Sequence, residues 1–171
     1  LSVENSFGIF EVGMSKAGEI KNLTKLIQPH VGIITNIGEA HIENFKNING
    51  IAKAKAEIID NIIENGTVIL NRDDKFFRYF YQKAKLKKIK IVTFGKDKRS
   101  DIYPFKVIEN KNSTKIFVKV KKQKVVLDIK DINIYNLLAS LAVIKEFRLN
   151  LNDTKNILKS YELTEGRGKT H

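Results

Sequence analysis

Cysteine and tryptophan are absent from the 171 residues, proline occurs twice and histidine three times. Without cysteine there is no disulfide framework and no thiolate metal site. No apolar run approaches the roughly 20 residues a membrane-spanning helix needs, and no secretory signal is recognisable. These absences fit a cytoplasmic protein with no membrane partner. No internal repeat and no Ser-, Pro- or Gly-rich linker divides the chain.

Glycine is present but nowhere spaced to cradle phosphate. Gly168-Lys169-Thr170 ends like a Walker A loop, yet the position five before Gly168 is Leu163 and no strand leads into it. A nucleotide enzyme built on this chain needs its phosphate loop elsewhere. The chain starts at Leu1 and ends at Gly166-Arg167-Gly168-Lys169-Thr170-His171 without a tail, which suggests a piece of something longer.

A hydrophobic share of 42% is enough for a real core at this length. The net charge of +12 raises the question of nucleic acid. The excess sits in Lys83, Lys85, Lys87, Lys88 and Lys90 and in Lys119, Lys121, Lys122 and Lys124. These lysines are interleaved with helix or strand residues and lack the regular aromatic spacing of a single-strand platform, so solvated faces and no nucleic-acid partner are expected.

Apolar patterning gives the order of elements. A short apolar run from Ser6 to Gly13, with Gly8-Ile9-Phe10 as a strand ended by Glu11, is followed by a turn at Ser15-Lys16-Ala17-Gly18 and a helix from Glu19 to about Gln28. Val31 to Asn36 reads as a strand, Gly50 to Ile63 as a helix closed by Gly66 as its C-cap, and Thr67 to Asn71 as a strand. A basic helix spans about Asp74 to Lys85, and a strand runs from Ile89 to Phe94. Strands alternating with helices predict an α/β fold, a mostly parallel sheet flanked by helices. Between Asp101 and Ile129 the alternation seen in Lys115-Ile116-Phe117-Val118-Lys119-Val120-Lys121 predicts antiparallel hairpins. Asn133 to about Phe147 and Asp153 to about Tyr161 are expected helices.

One residue breaks the pattern. Positions 51, 55, 58, 59 and 62 form one helical stripe, four of them isoleucine and the fifth Lys55. An amine on an apolar stripe must be paired, neutralised or altered to offset its desolvation. In open α/β sheets ligands bind beyond the carboxyl ends of the strands, where Glu11 and His41 are also expected, with Lys55 on the following helix. Each has a plainer explanation: a solvated loop carboxylate, a hydrogen-bonded histidine, a lysine whose head reaches solvent. Together they offer what a metal-dependent phosphate site needs. A lysine with a lowered pKa can also capture carbon dioxide as a carbamate, which is a long carboxylate able to hold Mg²⁺.

Glu11-Val12-Gly13, Gly18-Glu19-Ile20, Gln28-Pro29, Thr35-Asn36-Ile37-Gly38-Glu39-Ala40-His41, Ile51-Ala52-Lys53-Ala54-Lys55-Ala56-Glu57-Ile58, Leu70-Asn71-Arg72-Asp73-Asp74 and Asn133-Ile134-Tyr135-Asn136-Leu137-Leu138-Ala139 follow one another in order. This series resembles the Mur ligases of bacterial cell-wall synthesis, and most closely the branch joining D-alanyl-D-alanine to UDP-N-acetylmuramoyl tripeptide. Sister ligases usually carry Asp-His where this chain has Ala40-His41, and lack the Gly-Glu-Ile segment.

The resemblance implies an ATP-dependent ligase of peptidoglycan precursor synthesis, monomeric at full length. It implies that Glu11 binds the Mg²⁺ shared with ATP, and that His41 and carbamylated Lys55, the catalytic pair, hold a second Mg²⁺. Asn133 and Asn136 match the adenine-approaching asparagines, with Ile132 where a histidine is common, and Arg167 matches an arginine near the nucleotide phosphates. Residues 1–171 would then be part of the central ATP-binding domain, with the phosphate loop and both flanking domains absent and the isolated piece inactive. Two other readings stay open. One is another Mur-type ligase or a folylpolyglutamate synthase; the other is a basic, non-catalytic module with salt-dependent binding to nucleic acid or an acidic partner.

Overall fold

A computed structural model of the chain describes residue 4 and residues 6–38, 42–111, 113–130 and 132–153. Its elements are α1 (Glu19–Ile27), β1 (Val31–Ile34), a short 3-10 turn (Ile42–Asn44), α2 (Ile48–Lys55), α3 (Glu57–Asn61), β2 (Thr67–Asn71), α4 (Phe77–Lys87), β3 (Lys90–Phe94), β4 (Ile102–Glu109), β5 (Thr114–Val120), β6 (Gln123–Ile129) and α5 (Ile134–Glu146).

The six strands lie side by side in chain order. β1, β2 and β3 are parallel, and β3 meets β4 only at Phe94 and Ile102. The loop between them is too short for a crossover, so β4 extends the sheet at that corner instead of running alongside β3. Asp101 secures the corner, its carboxylate accepting from the Thr93 amide at 2.8 Å and the Thr93 hydroxyl at 2.7 Å. β4, β5 and β6 then form the expected antiparallel hairpins.

All five residues of β2 are buried, because helices cover both faces of the central sheet. Strand alternation divides its side chains. Val68 and Leu70 join Ile51, Ala52, Ala56, Ile59, Ile62, Phe80 and Ala84 in a core under α2, α3 and α4. Ile69 points the other way, into a core with Phe94, Leu127, Leu138 and Leu141 under α5. Burial of side chains such as Ile59 and Leu138 stabilises the fold by about 1.5–3 kcal/mol each. On the hairpins, Ile116, Val118 and Val120 face this second core while Lys119 faces outward.

Several expected boundaries move. Residues 50–63 are two helices, not one, with Ala56 as the joint. The Ile59 amide bonds Ala56 O at 3.1 Å in the tighter three-residue spacing, and the bend lets Ile51, Ile59 and Ile62 all bury completely. Gly66 is not the left-handed C-cap; Asn65 takes the positive φ, of 60°. Gly66 answers a spatial need, since a Cβ there would stand 2.5 Å from Ile62 Cγ2 and 2.9 Å from two carbonyl oxygens. α4 begins at Phe77 and not Asp74, because the Asp74 carboxylate is engaged in the preceding turn.

The largest difference is at Gly8-Ile9-Phe10, which forms no strand. Among the described residues no strand pairs with it, and Ile9 is 96% exposed. An apolar run becomes a strand only where a neighbour takes up its backbone hydrogen bonds. The lysine clusters are mostly exposed, as expected of solvated faces, and Lys85, Lys119 and Lys124 lie over the rings of Tyr81, Tyr103 and Phe105. Their stems cover half-exposed aromatics that the linear spacing conceals. The helix expected from Asp153 to Tyr161 lies, beyond Asp153, outside the described residues.

Candidate functional site

The carboxyl ends of β1, β2 and β3 open onto a network built from the segments that follow each strand. Asn71, the last residue of β2, donates from Nδ2 to Thr35 O at 2.9 Å and accepts the Asp73 amide at 3.0 Å. Asp74 accepts the Ile37 amide at 2.8 Å with Oδ2 and the Phe76 amide at 2.7 Å with Oδ1. The ends of β1 and β2 are thereby joined by side chains once the strand ladder stops.

Lys55, the last residue of α2, reaches this junction. Asn47 caps the start of α2, accepting the Gly50 amide at 3.2 Å, and the apolar side of the helix packs Ile51 and Ala52 into the core. That packing aims the half-buried Lys55 at the strand end, where its Nζ donates to Asn36 O at 3.0 Å. Desolvation lowers its pKa, and the nearby Asp74 charge pulls it partly back. Lys55 is therefore partnered and not simply extended into water.

Beside it lies a second group of residues. Asp73 accepts the Lys96 amide at 2.5 Å and the Asp97 amide at 3.1 Å, tying the end of β2 to the loop after β3. Gly95 has φ 153°, and a Cβ there would come within 2.9 Å of the Asp73 carboxylate. Arg72 lies over the Phe77 ring at 5.1 Å, with its Nε 3.7 Å from Asp97 Oδ2. Asp97 also binds Arg99, and these hydrogen bonds bring its carboxyl down to about 2.

The expected site residues fare differently. Lys55 stands at the carboxyl end of the sheet. Asn133 caps α5, its Oδ1 accepting the amides of Tyr135 at 2.8 Å and Asn136 at 3.4 Å, so its carbonyl is occupied and its amide NH₂ is what remains for a ligand. Asn136 is exposed on the first turn of α5, which reaches the same end of the sheet because Tyr135 lies under Lys96, 5.4 Å from ring centroid to Nζ. Glu11 is exposed on the segment before α1, which has no regular secondary structure, and not at a strand end. His41 and Arg167 lie outside the described residues.

Among the described residues no group of three or more His, Asp or Glu could hold a metal ion. Those residues alone do not assemble the implied magnesium site. Lys55 fits the carbamate chemistry, being desolvated and lowered in pKa, but the acidic side chains nearest it are already committed to backbone amides. Two surface depressions lie elsewhere. One, of about 380 Å³, includes Lys145, Leu149 and Asn150, and the other, of about 300 Å³, includes Ile62, Ile63 and Lys87. Both belong to the amino-terminal end of the strands, opposite Lys55. No helix among the described residues is long and apolar enough to cross a membrane.

Asp73, Arg72, Lys96 and Tyr135 carry no role in the linear reading. The signal was Arg72-Asp73-Asp74 directly after a strand that ends at Asn71, a polar run where the chain must turn at the ligand-binding end of a sheet.

Residues 2–144 match the Mur ligase middle domain. The UDP-N-acetylmuramoyl-tripeptide–D-alanyl-D-alanine ligase of Buchnera aphidicola from Acyrthosiphon pisum is 30% identical over 172 residues, covering 95% of this chain and 38% of that protein. The ligase of the same name from Haemophilus influenzae is 28% identical, covering 98% of this chain and 36% of its own length. A crystal structure of MurF from Acinetobacter baumannii superposes with a TM-score of 0.88 at 26% identity, over 98% of this chain and 37% of that one. MurF from Thermotoga maritima in complex with ADP shares the fold at a TM-score of 0.76 and 24% identity, over 90% of this chain and 35% of that one. The chain thus spans a little over a third of the length of these relatives.

Proposed function

The chain belongs to the Mur ligase family through its middle domain, and we propose from that premise that it is the ATP-binding part of a cytoplasmic ligase joining D-alanyl-D-alanine to UDP-N-acetylmuramoyl tripeptide. What carries this reading is the match to ligases of that name over nearly the whole chain.

In the proposed reaction a carboxylate oxygen of the tripeptide attacks the γ-phosphorus of ATP, and ADP leaves. The acyl phosphate so formed is attacked at its carbonyl by the dipeptide amine. A tetrahedral intermediate collapses, phosphate departs, the nitrogen loses a proton, and an amide remains. The reactants are anions, so the protein must place positive charge around the transferring phosphoryl group. Exclusion of water protects the acyl phosphate from hydrolysis.

Within that frame Lys55 is the carbamate carrier. Its neutral amine bonds to the carbon of carbon dioxide and loses a proton, exchanging a desolvated cation for an oxygen donor. Magnesium, when bound, would neutralise phosphate charge; Glu11, His41 and carbamylated Lys55 are the proposed donors. Asn133 and Asn136 would approach adenine and Arg167 the phosphates. The phosphate loop and the domains for the sugar nucleotide and the dipeptide would lie outside residues 1–171, and the full-length enzyme would act as a monomer.

The test is made on the full-length enzyme that contains this chain. Phosphate release should require ATP, the tripeptide nucleotide and D-alanyl-D-alanine together. Turnover with a single amino acid, or with folate and glutamate, and none with the dipeptide would assign it to another branch. Tight ATP binding by residues 1–171 alone would contradict the partial-domain reading.

A further inference from the structure

Alternation along β5 sends Ile116, Val118 and Val120 into the core under α5 and leaves Lys115, Phe117 and Lys119 on the opposite face. Strand pairing extends that face: Tyr103 and Lys124 stand on either side of Lys119, and Lys106 and Val126 on either side of Phe117. The register shifts between Pro104 and Lys106, so Phe105 is the extra residue of a bulge. Its ring lies 6.0 Å from that of Phe117, and the residue is 41% exposed. Each ring carries an ammonium: Lys119 over Tyr103 at 5.7 Å, Lys106 over Phe117 at 5.5 Å and Lys124 over Phe105 at 5.6 Å. Lys119 and Lys124 are direct cross-strand neighbours, and like charges so placed work against the sheet. Among the described residues no ion pair relieves Lys106, Lys119 or Lys124. The carboxylate that these strands place on the face is Asp128, opposite Lys115.

We propose that this face docks on an anionic lipid surface, its lysines meeting the phosphates of the headgroups. The inference goes beyond the ligase reading and stands without it. Charge complementarity selects the partner, because a planar set of unneutralised amines fits a planar polyanion. The lysines are spread across three strands and along them, whereas a nucleic-acid strand presents a line of charge. The ring faces that would stack bases are already occupied by ammonium groups, so a single-strand platform is the poorer fit. At a membrane the lysine stems extend to the phosphates and the rings lie at headgroup level. Such contact needs no spanning helix, and among the described residues no helix is long and apolar enough to span. It revises the expectation of no membrane partner.

Flotation of the full-length enzyme with lipid vesicles is the test. The enzyme should float with vesicles of phosphatidylcholine and phosphatidylglycerol in equal parts, stay behind with pure phosphatidylcholine, and detach as salt is raised. Lys119→Gln combined with Lys124→Gln should reduce the partition coefficient about fivefold for each lysine removed. Lys25→Gln combined with Lys85→Gln removes the same charge from exposed positions on α1 and α4, and should change it less than about twofold. The first double variant should ligate in solution with unchanged kcat and KM, so the docking surface is tested apart from the ligase assignment. Its melting temperature should not fall, since a like-charge pair is gone. The proposal is overturned if the enzyme ignores anionic vesicles, if neutral vesicles bind as well, or if both double variants weaken binding equally. Polyuridylate tests the other class of partner. Tighter binding to it than to anionic vesicles, lost in the first double variant, makes the face a nucleic-acid site and overturns the lipid one.

Discussion

The Lys55 ammonium donates to the Asn36 carbonyl oxygen across 3.0 Å, just past the last ladder residue of β1. A strand-end carbonyl has lost its ladder partner, and a half-buried amine has lost its water. Each satisfies the other. The same bond places the nitrogen at the end of the sheet where ligands of this architecture bind.

Replacing Lys55 separates chemistry from packing. Lys55→Ala in the full-length enzyme should reduce ligation by roughly 10²–10³, and a short-chain carboxylate added to the assay should restore part of it. Lys55→Met retains the apolar stem and should melt within a few degrees of the wild type while remaining as inactive as the alanine variant. Steady-state kinetics and calorimetry on both proteins check this. Wild-type turnover in either variant removes Lys55 from the mechanism.

Asp74→Asn should lower the Lys55 pKa further, since the Asp74 charge is what raises it against desolvation. The change also weakens two acceptor bonds, to the Ile37 and Phe76 amides, and should cost about 1–2 kcal/mol in denaturant unfolding. Carbon-13 NMR of reductively methylated lysines reads the titration of Lys55 directly. In the native state it binds its proton less tightly than in the unfolded chain, so the contribution of Lys55 to stability rises with pH through that window. An upward shift in the variant would contradict the assignment of Asp74 as the compensating charge.

The parallel and antiparallel halves of the sheet were legible because their apolar patterns differ, continuous in Thr67–Asn71 and alternating in Thr114–Val120. Lys55 was legible because it interrupts a stripe of isoleucines. The failures share a cause, which is dependence on partners distant in sequence. Gly8-Ile9-Phe10 has strand composition but no strand beside it among the described residues. The joint at Ala56 follows from how Ile51 and Ile59 reach one core, and spacing alone cannot encode that bend. The contact between Lys96 and the Tyr135 ring joins residues far apart in the chain, each unremarkable in its own segment.

Gly66→Ala should destabilise the fold by about 1–3 kcal/mol even though the φ at 66 does not call for glycine. The new methyl meets Ile62 Cγ2 and the carbonyl oxygens of His30 and Ile63, two of which belong to backbone that cannot turn aside. His30 O is also the acceptor of the Thr67 amide at 2.9 Å, so the strain falls on the entry to β2. Chemical denaturation of residues 1–171 measures it. Ile62→Leu in the same background, which carries no methyl on Cβ, relieves only the side-chain clash and should recover a minor part of the loss.

The far end of α5 gives a prediction in pH. Glu146 accepts the Thr67 hydroxyl at 2.8 Å and the Lys90 ammonium, with Lys121 Nζ at 3.9 Å, so it joins α5 to the starts of β2 and β3. Burial works to raise its pKa, but the hydrogen bonds from Lys90 and Thr67 and the charges of Lys90 and Lys121 outweigh that effect, and the net shift is downward. A carboxyl held below its unfolded value contributes stability that is fully present above the unfolded pKa and is lost as pH falls through the folded one. Melting temperatures recorded from neutral pH downward should show this loss in the wild type and a flatter acid limb in Glu146→Gln, which keeps the acceptor for Thr67 and removes the titration. The variant should also be less stable at neutral pH, because Lys90 and Lys121 then face each other without the charge between them. If the acid limbs coincide, Glu146 is not the group whose protonation loosens α5 from the sheet.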